Sequence, residues 1–393
     1  MNLPIITLKA GKEQSLNRFH PWIFSGAVNY ISRELEEGEL VRVVSSKDEF
    51  LAIGHFQIGS IAVRVLSFED TVIDRNFWKK KLAVALELRR SLGFHESQTN
   101  VFRLIHGEGD GLPGLIVDFY NGTAVYQAHS VGMYLVRHEL AELFKELMGD
   151  QLVAVYDKSD KTLPFKANIQ PENGYLLGQS EPCIVQEYGL SYRVDWVEGQ
   201  KTGFFIDQRE NRKLVEQFSK GRDVLNMFCY SGGFSFFAMQ GGANKVHSVD
   251  ASAKAIELTR QNVALNFKDD QRHEAYVADA FDFMRDMKDR YDLVILDPPA
   301  FAKHRGALRQ ALQAYKRLNA KAFEQIRPGG ILFTFSCSQV VSKDQFREAV
   351  FSGAAISGRK VRILHQLHQP ADHPINIYHP EGEYLKGLVL YVD

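Results

Sequence analysis

From about residue 221 onward, short apolar runs alternate with longer stretches of helical character. The runs are DVLNMF, KVHSVD, EAYVAD, DLVILD and GILFTFS, and segments such as SAKAIELTRQNVALN lie between them. Each run has strand length, and the segments between them are long enough to be crossover helices. Parallel strands need such crossovers, because a tight hairpin returns the chain antiparallel. The rhythm therefore predicts an α/β fold with a doubly wound, mostly parallel sheet. Two closing runs, KVRILHQL and LKGLVLYV, predict a late strand pair.

The earlier part of the chain reads differently. Up to about residue 75, the runs LPIITLKAG, GELVRVVSS, FLAIGHFQ and SIAVRVLSF are broken by Gly, Ser and Asp, which predicts a small β-barrel or sandwich. Residues 75–93 predict a helix. Strands around glycine-rich turns follow in VFRLIHGEGDGLPGLIVDFYNGTAVYQAHS. Val136, Leu140, Leu143, Phe144 and Leu147 then fall on one helical face. LVAVYDK reads as a strand and YGLSYRVDWVEG as a hairpin. At 393 residues the chain exceeds one compact core. The expected division is 1–75, a small β-domain; 76–190, a small α+β domain; and 191–393, the doubly wound domain.

A formal net charge of -1 provides no global field to recruit a polyanion, so a nucleic-acid partner would need a local basic surface. No apolar run approaches the roughly 18 residues of a membrane span, and the N-terminus lacks signal-peptide features. Cys183, Cys229 and Cys337 are odd in number and widely spaced. They make neither a disulfide framework nor a CxxC zinc site, so no metal is expected and a reducing cytoplasm is the natural setting.

Doubly wound sheets bind ligands at the carboxyl ends of their strands. The first run ends in Phe228-Cys229-Tyr230-Ser231-Gly232-Gly233, where the paired glycines allow a sharp bend and close approach to a ligand. It is neither a GxGxxG fingerprint nor a P-loop. Phe228, Tyr230, Ser231, Gly232 and Gly233 are the cofactor-turn candidates. Asp250 ends the second run, where an acidic side chain suits two ribose hydroxyls, and Asp279 ends the third, where it can accept from an adenine amine. Either aspartate alone reads equally well as a helix N-cap. Together the set favours adenosine without pyrophosphate, which S-adenosylmethionine (SAM) satisfies. The fourth run ends in Asp297-Pro298-Pro299-Ala300-Phe301. Its prolines stiffen the exit and hold Asp297 toward a planar base, with Phe301 available for stacking.

These motifs, with TFSCSQ at 334–339 and KTGFFIDQRENR at 201–212, resemble the SAM-dependent 5-methylcytosine methyltransferases of bacterial 23S ribosomal RNA. HPWIFSGAV resembles the opening of that family's PUA RNA-binding domain. GEGDGLPGLIVD resembles its central EEHEE domain, and ADHP and PEGEYLKG match near the C-terminus. The resemblance implies a Rossmann-like catalytic domain and a role for Cys337 as nucleophile toward carbon 6 of cytosine. It implies that KTGFFIDQRENR folds over the cofactor. Gln208 and Arg209 are its polar candidates, with Arg209 toward the SAM carboxylate. Phe204 and Phe205 read as packing, and Asn211 and Arg212 as solvated surface. Asp297 is a candidate both for the cofactor site and for contacting the cytosine ring. Cys229 reads as packing and Cys183 as structural.

The implied partner is 23S ribosomal RNA, naked or in an assembly intermediate. Arg18, His20 and Trp22 are candidates on the β-domain, with packing favoured for Trp22. Lys79, Lys80 and Lys81, and Lys303, Arg305, Arg309 and Lys316 after the Asp-Pro-Pro turn, are phosphate candidates, though a solvated helix face explains the latter four equally well. A homodimer is compatible with the sequence. Two other readings stay open: an RNA guanine or adenine nitrogen methyltransferase, which needs no cysteine, and a non-catalytic RNA-binding assembly factor.

Overall fold

A computed structural model describes residues 3–94, 98–164 and 169–393. The chain gathers into two compact units. One contains residues 1–188, 194–204 and 371–382; the other contains 189–193, 205–370 and 383–393.

In the first unit, six strands pair in the order Trp22–Phe24, Ile61–Ser67, Phe50–Phe56, Leu40–Val44, Ile5–Leu8, Val28–Ile31. Alternating side chains point inward, so Ile6, Leu8, Val41, Val43, Val63 and Val65 make one core. Trp22–Phe24 and Val28–Ile31 are strands that the sequence reading left out. A five-stranded sheet follows, in the order Gly174–Leu177, Ala154–Asp157, Thr123–Ala128, Leu115–Tyr120, Val101–His106. Helices Arg75–Ser91 and Arg137–Met148 bury Leu82, Leu86, Leu140 and Phe144 in the core that it shares. Within the segment 188–199 expected as a hairpin, Leu190–Val194 is a strand. The Asp195 carboxylate then accepts from the amides of Val197 and Glu198 and turns the chain.

The second unit holds the doubly wound sheet. Its strands are β1 (Asp223–Met227), β2 (Lys245–Asp250), β3 (His273–Val277), β4 (Leu293–Leu296), β5 (Gly330–Ser336), β6 (Val361–His368) and β7 (Lys386–Val392). Helices are α1 (Arg209–Phe218), α2 (Gly233–Gln240), α3 (Ala253–Asn266), α4 (Ala280–Phe283), α5 (Leu308–Gln325) and α6 (Lys343–Ser357). The strand order is β3-β2-β1-β4-β5-β7-β6, parallel except that β7 runs antiparallel to both β5 and β6. The order reverses between β1 and β4, which is the switch point where such sheets open a crevice. All four residues of β4 and all seven of β5 are buried, as expected for strands covered on both faces.

Helix starts are written locally. Ser252 caps α3 by accepting from the Ala255 amide, and Ser342 with Gln345 forms a reciprocal capping box on α6. Each cap is worth about 1 kcal/mol. The 371–382 segment departs from the sheet between β6 and β7 and packs in the first unit.

Candidate active site

The turn after β1 is held in costly backbone geometry. Phe228 (φ 59°) and Tyr230 (φ 47°) are both left-handed without being glycine, and Gly232 follows at φ 81°. Each such non-glycine residue costs about 1–3 kcal/mol, so the surroundings must over-determine the turn. They do so through α3. Thr259 donates to the Tyr230 carbonyl and Asn262 donates to that of Ser231. A Cβ on Gly232 would lie 2.7 Å from Thr259 Cγ2, and one on Gly233 would lie 2.9 Å from Arg212 Cδ. The glycine pair is therefore required by close packing under the turn.

Asp250 locks the same turn from β2. One carboxylate oxygen accepts from the Tyr230 amide at 3.1 Å and the other from the Ser252 amide at 2.9 Å. A carboxylate oxygen has two lone-pair sites, so Asp250 retains capacity for hydroxyl donors such as a ribose diol. Asp279 is the N-cap of α4 and accepts from the amides of Phe281 and Asp282 while staying exposed. Its carboxylate likewise keeps acceptor sites. The shape of the glycine turn and the acceptors on the next two strands fit a nucleoside cofactor.

Asp297 leaves β4 at the level where Phe228 leaves β1, because Met227 pairs with Leu296. Gln208 Nε2 donates to Asp297 Oδ1 at 3.0 Å, and Gln208 Oε1 accepts from Asn211 Nδ2 at 2.6 Å. Both ends of the Gln208 amide are thus engaged, and the chain Asn211–Gln208–Asp297 ties the segment before β1 to the Asp-Pro-Pro turn. Arg209 is fully buried, with Nε 3.3 Å from Glu210 Oε1. Asn211 and Arg212, expected on solvated surface, are both buried: Arg212 donates to the Phe205 carbonyl and lies over the Tyr192 ring. Their polar groups serve the fold around the turn. Phe301 packs on Tyr315 at a ring separation of 4.7 Å.

Cys337 follows β5 directly. Leu296 pairs with Thr334, so Cys337 lies two residues beyond the level of Asp297 on the neighbouring strand, about 7 Å further along. Ser336 and Ser338 flank it, both buried, whereas Cys337 is half-buried. Ser336 donates to the Tyr315 hydroxyl at 2.9 Å, and Ser338 Oγ accepts from Tyr315 at 3.4 Å and from the Ala302 amide at 3.2 Å. Both serines are thus anchored on Tyr315, and the thiol between them stays half-buried. Cys229, by contrast, is buried against Thr259, and burial pushes its thiol up to about 12.

Four participants were not singled out from sequence. Tyr315 and Ser338 fix the backbone around Cys337. Tyr384 donates to Asp207 Oδ2 at 2.7 Å, and Lys386 donates to the carbonyls of Ser338 and Val341. Ser338 lies in the motif TFSCSQ, Tyr384 and Lys386 lie in PEGEYLKG, and Lys386 also interrupts the apolar run LKGLVLYV, but the sequence assigns none of these residues a role.

Among the basic candidates, Lys303, Arg305 and Arg309 are exposed and Lys316 half-buried, and none forms an ion pair among the described residues. Lys79 pairs with Glu146, and Lys81 lies 5.5 Å from the Phe77 ring centre. Lys80 is exposed. Trp22 donates to Glu108 at 2.7 Å, His20 lies 3.4 Å from Glu381, and Arg18 is exposed. Cys183 is half-buried, with its sulfur 4.0 Å from the Tyr120 carbonyl. Among the described residues no cluster of His, Cys, Asp or Glu could hold a metal, and no helix is long and apolar enough to cross a membrane.

Comparison with known proteins agrees with this geometry. Residues 163–378 match the family described as S-adenosylmethionine-dependent methyltransferase, and residues 6–68 match a PUA-like domain. Ribosomal RNA large subunit methyltransferase I from Alteromonas mediterranea is 38% identical over 393 residues, covering 98% of each chain. The enzyme of that name from Tolumonas auensis is 38% identical with the same coverage. A SAM-dependent methyltransferase structure from Streptococcus mutans superposes with a TM-score of 0.85 at 23% identity over 100% of both chains. A methyltransferase structure complexed with SAH gives 0.86 at 24%, again over 100% of both. These two likenesses establish a shared fold, Rossmann-like in the catalytic part. The chain belongs to the ribosomal RNA large subunit methyltransferase I family and is a SAM-dependent methyltransferase.

Proposed function

We propose that this protein methylates carbon 5 of a cytosine in 23S ribosomal RNA through a transient bond between Cys337 and carbon 6. The observation that carries the reading is the placement of a half-buried thiol one strand from Asp297, its serine neighbours both anchored inward. Carbon 5 of cytosine is a weak nucleophile. Addition of the Cys337 thiolate to carbon 6 forms an S–C bond and breaks the ring's aromaticity. The freed electron pair makes carbon 5 enamine-like and able to attack an electrophile. Bound SAM supplies the electrophilic methyl group. Loss of the carbon 5 proton then drives out the thiolate, the S–C bond breaks, and the aromatic ring returns. Cysteine suits this role because a free thiol already carries a few per cent thiolate near neutral pH.

Asp297 contacts the ring nitrogen 3 or the exocyclic amine, with Gln208 fixing its angle. The turn from Phe228 to Gly233, with Asp250 and Asp279, holds the cofactor, and Arg209 and Gln208 close it from the preceding segment. We read the chain as three functional parts, 1–75, 76–190 and 191–393. The first part and the exposed cations Lys303, Arg305 and Arg309 hold the RNA, naked or in an assembly intermediate, in the cytoplasm. A homodimer is compatible with this scheme.

The test is nucleoside mass spectrometry on large-subunit RNA from cells lacking the protein, after incubation with the purified protein and labelled SAM. Label in 5-methylcytidine with wild type and none with Cys337→Ala is the expected result. Label in a methylated guanosine or adenosine, undiminished by that substitution, would discard the reading.

A further inference from the structure

Lys386 opens β7 in a place where packing alone would call for an apolar residue. It pairs across the sheet with Ser336 on β5 and with His368 on β6. It is only 4% exposed. Its Nζ donates to the Ser338 carbonyl and to the Val341 carbonyl, each at 2.6 Å. Both acceptors lie in the loop that begins at Cys337. Burying an amine is costly unless acceptors and opposite charge offset the lost hydration. Burial holds the Lys386 amine down to about 8, and the charge of Cys337, followed by that of Glu383, acts against this.

Among the described residues, Cys337, Glu383 and Lys343 are charges that act on Lys386. Lys343, at the start of α6, opposes Lys386 weakly and is itself paired with Glu383. Tyr315, on α5, feels the Cys337 charge as well, and its own hydroxyl is committed to Ser336 and Ser338. Asp297, directly after the adjacent β4, is engaged by Gln208. An apolar residue at position 386 would satisfy packing. A neutral amide would satisfy the two carbonyls. A cation does something neither can: it favours negative charge on the neighbouring sulfur.

We propose that Lys386 is a positioning residue for Cys337, its ammonium stabilising the thiolate while its two carbonyl contacts fix the backbone that follows the sulfur. The inference rests on the covalent reading of Cys337 given above. The thiol proton goes to solvent before the base arrives. The ammonium keeps its protons, and no bond to Lys386 forms or breaks. The pair acts as one titrating system, so its apparent midpoints belong to both groups together.

Peptide-resolved iodoacetamide labelling against pH tests this without RNA or SAM. In the wild type the Cys337 midpoint lies below that of a free cysteine peptide measured alongside. Lys386→Met and Lys386→Gln raise it by about one unit or more, with the plateau rate at high pH retained. The glutamine variant keeps a donor for the carbonyls, so it separates charge from tethering. An unchanged midpoint in either folded variant overturns the inference, and so does a wild-type midpoint at or above that of the free peptide. Trapping on RNA bearing 5-fluorocytidine is scored on the same proteins. A wild-type adduct beside a thiol profile indifferent to Lys386 overturns this inference alone; no wild-type adduct overturns the covalent reading and this inference with it.

Discussion

Two cysteines stand at the same edge of the same sheet, one after β1 and one after β5, and their surroundings make them different chemical groups. Cys229 is buried, shares a contact with Thr259, and has its thiol pushed up to about 12 by burial. Cys337 is half-buried, lies between two anchored serines, and has a lysine ammonium in electrostatic reach. Reactivity follows the thiolate fraction, so residue type and strand-end position are not enough. The decisive difference is how deeply the sulfur is buried and what charge meets it there.

Breaking this contrast has effects of graded size. The largest is expected from Cys337→Ala, which should lower methylation at least about a thousandfold, as loss of a covalent nucleophile does. Cys229→Ala should leave turnover within a few-fold and cost about 1 kcal/mol in chemical denaturation. Asp297→Asn should reduce kcat by about 100-fold, the scale of a lost charged contact to a reacting ring, with SAM affinity measured by calorimetry little changed.

Gly232→Ala addresses the β1 turn itself. A side chain at φ 81°, with its Cβ 2.7 Å from Thr259 Cγ2, should destabilise the fold by about 1–3 kcal/mol and weaken SAM binding. Unchanged calorimetric affinity in the variant would remove the turn from the cofactor site. The pH contrast follows from Cys229. With a thiol at about 12, its alkylation should stay negligible at pH 8 and rise only as pH approaches that value, whereas Cys337 should already react. Comparable rates at pH 8 would erase the distinction. The smallest effect is expected from Lys303→Ala or Arg305→Ala. Each should lower RNA affinity a few-fold and flatten its salt dependence by about one counterion.

The catalytic sheet was legible in the sequence because β-branched runs at crossover spacing leave few other folds. The order of its strands, and the reversal beside Asp297, follow from the doubly wound rule rather than from any residue. Short strands such as Trp22–Phe24 and Val28–Ile31 escaped notice, since three or four residues carry too little alternation to stand out. The burial of Asn211 and Arg212 was also invisible: polar side chains read as surface, and only the three-dimensional turn offers them the partners that make burial tolerable. Lys386 was an oddity in an apolar run, but nothing in the spacing says that β7 sits next to β5. That adjacency comes from an antiparallel insertion between β5 and β6, a connection that strand rhythm alone does not reveal.

Trapping is the most direct measurement of the sulfur's role. RNA carrying 5-fluorocytidine cannot lose a proton from carbon 5, so the S–C bond formed by Cys337 should persist. Wild-type protein with SAM should yield a denaturation-resistant RNA–protein adduct whose crosslinked peptide contains Cys337, and Cys337→Ala should yield none. Full methylation of normal RNA by Cys337→Ala, with no adduct in the wild type, would contradict the account.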